Sequence, residues 1–249
     1  MTVHLYTLCY NEMKILPFAV DYWKTVADEV FVLDNGSTDG SVEYLSGIGG
    51  INVVHFNSDG FNDKTHKDLK NKVWKASCGH ADWVIVCDLD EFLWSKEGIR
   101  ETLERYKEQG VTIVKPDGYN IFSEKFPEHE DGVFLWDVCN SGVKDVMFDK
   151  IIAFNPNEID SMNYTVGAHK CRPKGNLKWN WQIGDQNVKL LHFKNLSLEY
   201  VLNRYKDYAG RLSKLNKERR WGIQYTRPAE RTEREFNYNL RRSNPVLVC

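Results

Sequence analysis

Three observations predict an α/β fold with a mostly parallel central sheet, a smaller antiparallel part and a C-terminal helical extension. Apolar β-type runs alternate with helical patterns through the first half, the signature of βαβ units. The run Trp83–Cys87 is apolar at every position, as a strand buried on both faces must be. After Lys115 the pattern changes to short strands and turns, and Leu198, Val201, Leu202, Tyr205, Tyr208, Leu212 and Leu215 then recur at the three-and-four spacing of an amphipathic helix.

Val3 to Cys9 reads as the first strand. Ile15, Phe18, Ala19, Tyr22, Trp23 and Val26 mark one face of the helix that follows, where Pro17 is tolerated near the first turn. Glu29 to Leu33 is the second strand, and the turn Asp34 to Ser41 places Asp39 or Ser41 to cap the helix through Val42, Tyr44 and Leu45. Asn52 to Phe56 is a third strand. A polar helix with Leu69, Val73, Trp74 and Ala76 inward leads to the strand at Trp83, and a helix over Ile99–Gln109 returns to Val111–Val114. No internal repeat and no flexible linker interrupts the chain.

Composition removes several classes of function. With 249 residues, 42% of them hydrophobic and 13% aromatic, the chain can bury a sizeable core, which excludes disorder and fibrous repeats. No apolar stretch reaches the roughly 18 to 20 residues of a membrane span, and Met1 to Cys9 lacks the pattern of a signal peptide, so a cytoplasmic protein is expected. The six cysteines include no Cys-x-x-Cys pair, which argues against a zinc cage and a disulfide scaffold. Net charge is −2, but residues 203–242 hold 12 Lys and Arg against 5 Asp and Glu, leaving 21 against 30 elsewhere. Such a tail either meets phosphates or is a solvated helix face; peripheral membrane contact stays open, whereas no DNA or RNA motif accompanies the charge.

The candidate site lies where the buried strand ends in Asp88, Asp90 and Glu91. Ligands of open α/β sheets collect at the carboxyl ends of such strands. In an extended segment Asp88 and Asp90 share one side and can meet a single hard cation, which takes oxygen ligands and keeps positions for water and phosphate. The bland alternative is a solvated acidic turn.

The segments Leu8-Cys9-Tyr10-Asn11-Glu12, Val32 through Asp34-Asn35-Gly36-Ser37-Thr38-Asp39-Gly40-Ser41, and Asp82-Trp83 through Asp88-Leu89-Asp90-Glu91-Phe92 resemble, in order and spacing, the family 2 glycosyltransferases of GT-A fold. The likeness is strong over residues 1–115. Beyond them, Lys150-Ile151-Ile152, Gly167-Ala168-His169 and Leu191-His192-Phe193-Lys194 resemble later Lys and His positions of the family's smaller members.

The resemblance implies a catalytic domain over residues 1–195, divided into a nucleotide-sugar half (1–115) and an acceptor half (116–195), with residues 196–249 as a basic helical extension. It implies an inverting transfer of sugar from a nucleotide-diphosphate donor, UDP-sugar foremost, to a hydroxyl of a glycan or related acceptor. Asp34 would take the nucleobase N–H, with Tyr10, Asn11 and Glu12 lining that pocket; the alternative for Asp34 is a turn aspartate. Asp88 and Asp90 would hold Mg²⁺ or Mn²⁺ against the diphosphate, Asp90 the more directly, with Asp88 reaching the ribose or a metal-bound water. His192 would be a third metal ligand, with His169 a weaker candidate for the same role, and Lys194 would meet phosphate. The acceptor needs a carboxylate base. Among Asp131, Asp137, Asp145 and Asp149 the choice falls on Asp145, although none stands in the family's usual Glu-Asp pair. Two other classes remain: a sugar-phosphate nucleotidyltransferase, which normally opens with a Gly-rich basic loop that Tyr10-Asn11-Glu12 is not, and a non-catalytic carbohydrate- or partner-binding module, which would be expected to lose some of these acids.

Overall fold

The computed structural model describes residues 1–247. The first half forms β1 (Val3–Cys9), α1 (Leu16–Val26), β2 (Glu29–Asp34), α2 (Ser41–Ser46), β3 (Ile51–His55), α3 (Asp63–Lys72), β4 (Trp83–Asp88), β5 (Glu91–Trp94) and α4 (Ile99–Glu108). The second half adds β6 (Ile113–Val114), β7 (Asp117–Phe122), α5 (Leu135–Val138), β8 (Ser141–Lys144), β9 (Ala153–Phe154), the small hairpin β10 (Ile159–Ser161) and β11 (Lys174–Gly175), and β12 (Lys189–Asn195). After them come α6 (Leu198–Arg211), α7 (Lys214–Arg219), α8 (Ala229–Arg242) and β13 (Asn244–Pro245).

Six strands make the central sheet in the order β3-β2-β1-β4-β9-β6, with β3, β2, β1 and β4 mutually parallel and β9 antiparallel to both of its neighbours. Alternate residues of β4 enter different cores, as a period of two requires. Trp83, Ile85 and Cys87 pack with Phe18, Tyr22 and Trp23 of α1 and Leu103 of α4, whereas Val84 and Val86 pack with Trp74, Phe154 and Tyr164 on the other face. All six predicted core positions of α1, from Ile15 to Val26, are buried. The inward face predicted around α3 is only partly found: the chain tightens into a 3-10 turn at Val73–Ser77, which buries Trp74 and Ser77 and leaves Ala76 exposed.

A second sheet runs β13-β8-β7-β12-β5. The acidic turn after β4 joins the two, because β5 leaves the central sheet and pairs antiparallel with β12, placing Glu91 opposite His192. Parallel pairing of β7 with β12 then places Asn120 beside His192.

Helix α6 starts at Ser197, whose hydroxyl accepts the Tyr200 N–H as an N-cap. The predicted stripe ran to Leu215, but the helix stops at Arg211 because Leu212 becomes extended and bridges to Phe61. Phe61 N–H donates to the Arg211 carbonyl at 2.7 Å, and Asn216 exchanges two hydrogen bonds with Asp63. This approach demands Gly60, where a Cβ would lie 2.1 Å from the Arg211 oxygen and φ is +60°. The last described strand, β13, returns to pair with β8, so the tail beyond residue 196 is woven into the second sheet. No helix among the described residues is long and apolar enough to cross a membrane. Cys9, Cys78, Cys87, Cys139 and Cys171 are free thiols; Cys249 lies outside the described residues.

Candidate active site

Parallel register aligns the ends of three strands: Leu8 stands beside Asp88 and Cys9 beside Asp34. Above these ends lies a cavity of about 200 Å³, lined from the first half by Tyr10, Glu12, Phe56, His66, Lys70, Asp88 and Asp90. From the second half come Phe148, Lys150, His169, His192, Lys194, Arg204 and Tyr225. Three separate predicted segments, at Lys150, at Gly167-Ala168-His169 and at His192-Phe193-Lys194, thus meet the acidic turn in one place.

Asp88, the last residue of β4, has both carboxylate oxygens on ammonium groups: Oδ1 on Lys70 at 2.5 Å and Oδ2 on Lys150 at 3.4 Å. Burial alone would raise its pKa, but these two lysines outweigh burial and hold it below the usual carboxylate range. Lys150 also pairs with the buried Glu91, whose carboxylate accepts the Asp88 N–H at 3.0 Å.

Asp90 lies in the turn, with Oδ2 on Arg204 Nη1 at 2.7 Å and Oδ1 facing His192 Nε2 at 3.6 Å. His192 Nδ1 bonds Asn120 Oδ1 at 2.7 Å, so Nδ1 carries the proton and Nε2 presents its lone pair to Asp90. Burial pushes the imidazole pKa down to about 3 against the pull of Asp90, which keeps the ring neutral. Asn120 Nδ2 in turn donates to Asp145 Oδ2 at 2.8 Å.

Asp145 is therefore placed behind His192 and off the cavity wall. Its other oxygen accepts the Met147 N–H. The residue expected as acceptor base thus does not line this cavity. Asp34 is buried at the end of β2, and its oxygens accept the N–H groups of Gly36 and Ser37 and approach His55 Nδ1 at 3.3 Å, the contacts of a turn aspartate. Asn11, at φ +51°, accepts the Thr38 N–H and lines an adjoining cavity of about 410 Å³ that shares Tyr10, Glu12, Arg204 and Tyr208 with the first. Asp39, expected as a cap, accepts the Ser41 N–H and the Met13 N–H, tying the two loops together. His169 lines the cavity, but its Nδ1 is engaged by the Met147 carbonyl at 3.0 Å.

Lys194 sits 4.7 Å from the Tyr205 ring centroid and 5.6 Å from that of Tyr225. Glu12 bonds Arg204 at 2.8 Å and receives the Tyr208 hydroxyl at 3.3 Å; burial pushes its pKa up to about 7, against the pull of Arg204.

Sequence reasoning missed Lys70, Asn120 and Arg204. Arg204 left a signal: it falls at the three-and-four spacing of the apolar stripe, between Val201 and Tyr208, where a solvated arginine would not stand.

Asp90 and His192 fit a divalent cation, whereas Asp88 does not. Asp90 Oδ1 and the neutral His192 Nε2 form an oxygen and nitrogen pair whose separation suits two ligands of one ion at about 2.0–2.2 Å each. Asp88 does not offer a free oxygen, since both are on lysines. Among the described residues, the group of three such side chains with ligand atoms within 4.8 Å of one another is Asp21, His129 and Asp131, none of which lines this cavity.

An acid-ended parallel sheet that meets a second sheet over a cation-lined cavity has the architecture of a nucleotide-sugar transferase. The profile described as glycosyl transferase family 2 matches residues 5–163, and the chain belongs to that family, with the GT-A fold. No curated protein matches the chain. Among solved structures, a mycobacterial protein is similar at 19% identity over 48% of this chain and 41% of that one, TM-score 0.33. Glucosyl-3-phosphoglycerate synthase from Mycobacterium tuberculosis, in complex with phosphoglyceric acid, is similar at 18% identity over 48% and 44%, TM-score 0.32. 4-Diphosphocytidyl-2C-methyl-D-erythritol synthase from Anaerococcus prevotii DSM 20548 is similar at 12% identity over 62% and 70%, TM-score 0.36. The match spans less than half the length of the first two.

Proposed function

We propose that the protein transfers a sugar from a nucleotide-diphosphate sugar, UDP-sugar foremost, to a hydroxyl of a glycan or related acceptor, with inversion and with Mn²⁺ or Mg²⁺ as cofactor. The observation that carries this reading is the pairing of Asp90 Oδ1 with an uncharged His192 Nε2 in a cavity that also holds Lys194. Asp90 and His192 would hold the ion. When bound, it neutralises charge that develops on the leaving diphosphate.

The other residues take roles that follow from their contacts. Asp88, fixed by Lys70 and Lys150, positions the donor next to the ion rather than ligating it. Tyr10 and Glu12 face the nucleotide, while Asn11 and Asp34 shape the loops behind them. Lys194 neutralises phosphate. Asp145 acts through Asn120, holding the tautomer of His192. Residues 1–195 are the catalytic unit, and the basic segment from 196 onward supplies one wall of the donor cavity.

Asp90→Asn removes one ligand charge and leaves the volume unchanged. In titration calorimetry with UDP it should abolish Mn²⁺-dependent binding, with circular dichroism showing the fold retained. Nucleotide binding in that variant that is as tight as in the wild type and insensitive to EDTA would refute the metal reading.

A further inference from the structure

We propose that Arg204, on the C-terminal helix α6, is a ligand of the donor diphosphate, held on Asp90 and Glu12 until a cation and the phosphates take its place there. The inference rests on the donor reading above and adds a residue of the basic tail to the donor site.

The guanidinium lies among groups from three elements. Nη1 donates to Asp90 Oδ2 at 2.7 Å, in the turn after β4; Nη2 donates to Glu12 Oε1 at 2.8 Å, in the loop after β1, and to the Tyr208 hydroxyl at 2.8 Å. Tyr200 and Tyr208, one turn before and after on α6, hold the plane with ring centroids 5.3 and 5.5 Å from the central carbon. Yet the Nε–H is buried and has no hydrogen-bond partner.

A purely structural bridge accounts poorly for that arrangement. Arginine offers a planar fork, and a bridge meant to last uses it bidentately with one carboxylate. Here each carboxylate receives a single bond from a separate terminal nitrogen, and the donor that would complete a fork is left over. A buried N–H without an acceptor is unfavourable, and an anion that meets the guanidinium as it leaves Asp90 would relieve it. Five cationic side chains line this cavity (Lys67, Lys70, Lys150, Lys194 and Arg204) against the four carboxylates Glu12, Asp63, Asp88 and Asp90. Lys70 and Lys150 are committed to Asp88 and Glu91. Arg204 is different, because one of its two carboxylates is the one that also faces His192. A divalent ion on Asp90 and His192 would compete for Asp90 and repel the guanidinium at short range. The phosphates carried by that ion then become the nearest acceptors for the released Nη1 and the unused Nε.

The test compares nucleotides that differ only in phosphate number, so that nucleobase contacts cancel. The affinity of UDP relative to UMP, and of GDP relative to GMP, is measured by calorimetry in Mn²⁺ on the full chain. Arg204→Lys keeps a cation between Asp90 and Glu12 but loses the fork; the advantage of the diphosphate over the monophosphate should fall at least about tenfold. Glu12→Gln removes one competing carboxylate at nearly constant shape, and the same advantage should rise several-fold; this variant decides the matter should the lysine variant not fold. Wild-type binding of a diphosphate together with an unchanged advantage in the variants overturns the proposal. Failure of the wild type to bind either diphosphate overturns the donor reading itself, and this inference with it.

Discussion

Asn120 is a small residue with a large predicted effect, because it fixes which nitrogen His192 presents to Asp90. Its amide oxygen accepts from Nδ1 at 2.7 Å and its amide nitrogen donates to Asp145 at 2.8 Å. Asn120→Ala leaves the Nδ1–H of a histidine that is only 6% exposed without an acceptor, unfavourable by about 1–3 kcal/mol. Asp145, less buried, can replace its lost donor with water. The imidazole is then free to adopt the other tautomer, and loss of such an orienting partner typically weakens metal affinity about 10- to 100-fold. Calorimetry of UDP in Mn²⁺ should show that drop, while binding in EDTA stays as in the wild type. Asn120→Asp sharpens the test. It keeps an acceptor on Nδ1, as carboxylates do behind many metal-bound histidines, and should retain most of the Mn²⁺ dependence that Asn120→Ala loses. Wild-type Mn²⁺ dependence in Asn120→Ala would show that His192 does not bind the ion.

Lys150→Met strands the buried carboxylate of Glu91, while the partly exposed Asp88 keeps Lys70, and breaking a buried pair in this way is worth about 3–5 kcal/mol; urea unfolding should show it, and adding Glu91→Gln should recover much of the loss. An unchanged unfolding midpoint in the single variant would mean that the pair is not buried as described. Glu12 binds its proton up to about pH 7 when folded but only to about 4.3 when unfolded. The folded state thus holds more protons between these values, so stability is fully present below about pH 4 and declines as pH rises toward 7. Glu12→Gln should abolish that decline in unfolding experiments between pH 5 and pH 8, and parallel profiles for the two proteins would contradict the assignment.

Much of the fold was legible because it is written locally. The first strand and the face of α1 follow from periodicity alone, and the buried acid-ended strand at Trp83 announced both the sheet and the site. His192 and Lys194 were legible as cavity residues for a related reason: they follow directly on the apolar run Val188–Leu191. What was hidden depends on register between distant segments. Nothing near Asn120 says that β7 will lie beside β12, and without that pairing Asp145 looks like a free acid rather than a support for Asn120. Lys70 stands on a polar helix whose many charges read as solvated, and only the approach of β4 to α3 turns one of them inward. Arg204 was the recoverable case, since it interrupts an apolar stripe. Asp34 carried two meanings, nucleobase partner or turn residue, and its bonds from the N–H groups of Gly36 and Ser37 are those of the turn.

The central claim is that this cavity takes a nucleotide-diphosphate sugar on a divalent ion. A thermal-shift screen of nucleotide sugars with the wild-type protein, in Mn²⁺ and in EDTA, tests it most directly, because a ligand that binds only the native state raises the melting temperature. The account predicts a clear rise for at least one nucleotide sugar in Mn²⁺ and its loss in EDTA. No shift with any donor, or an equal shift in EDTA, would contradict it.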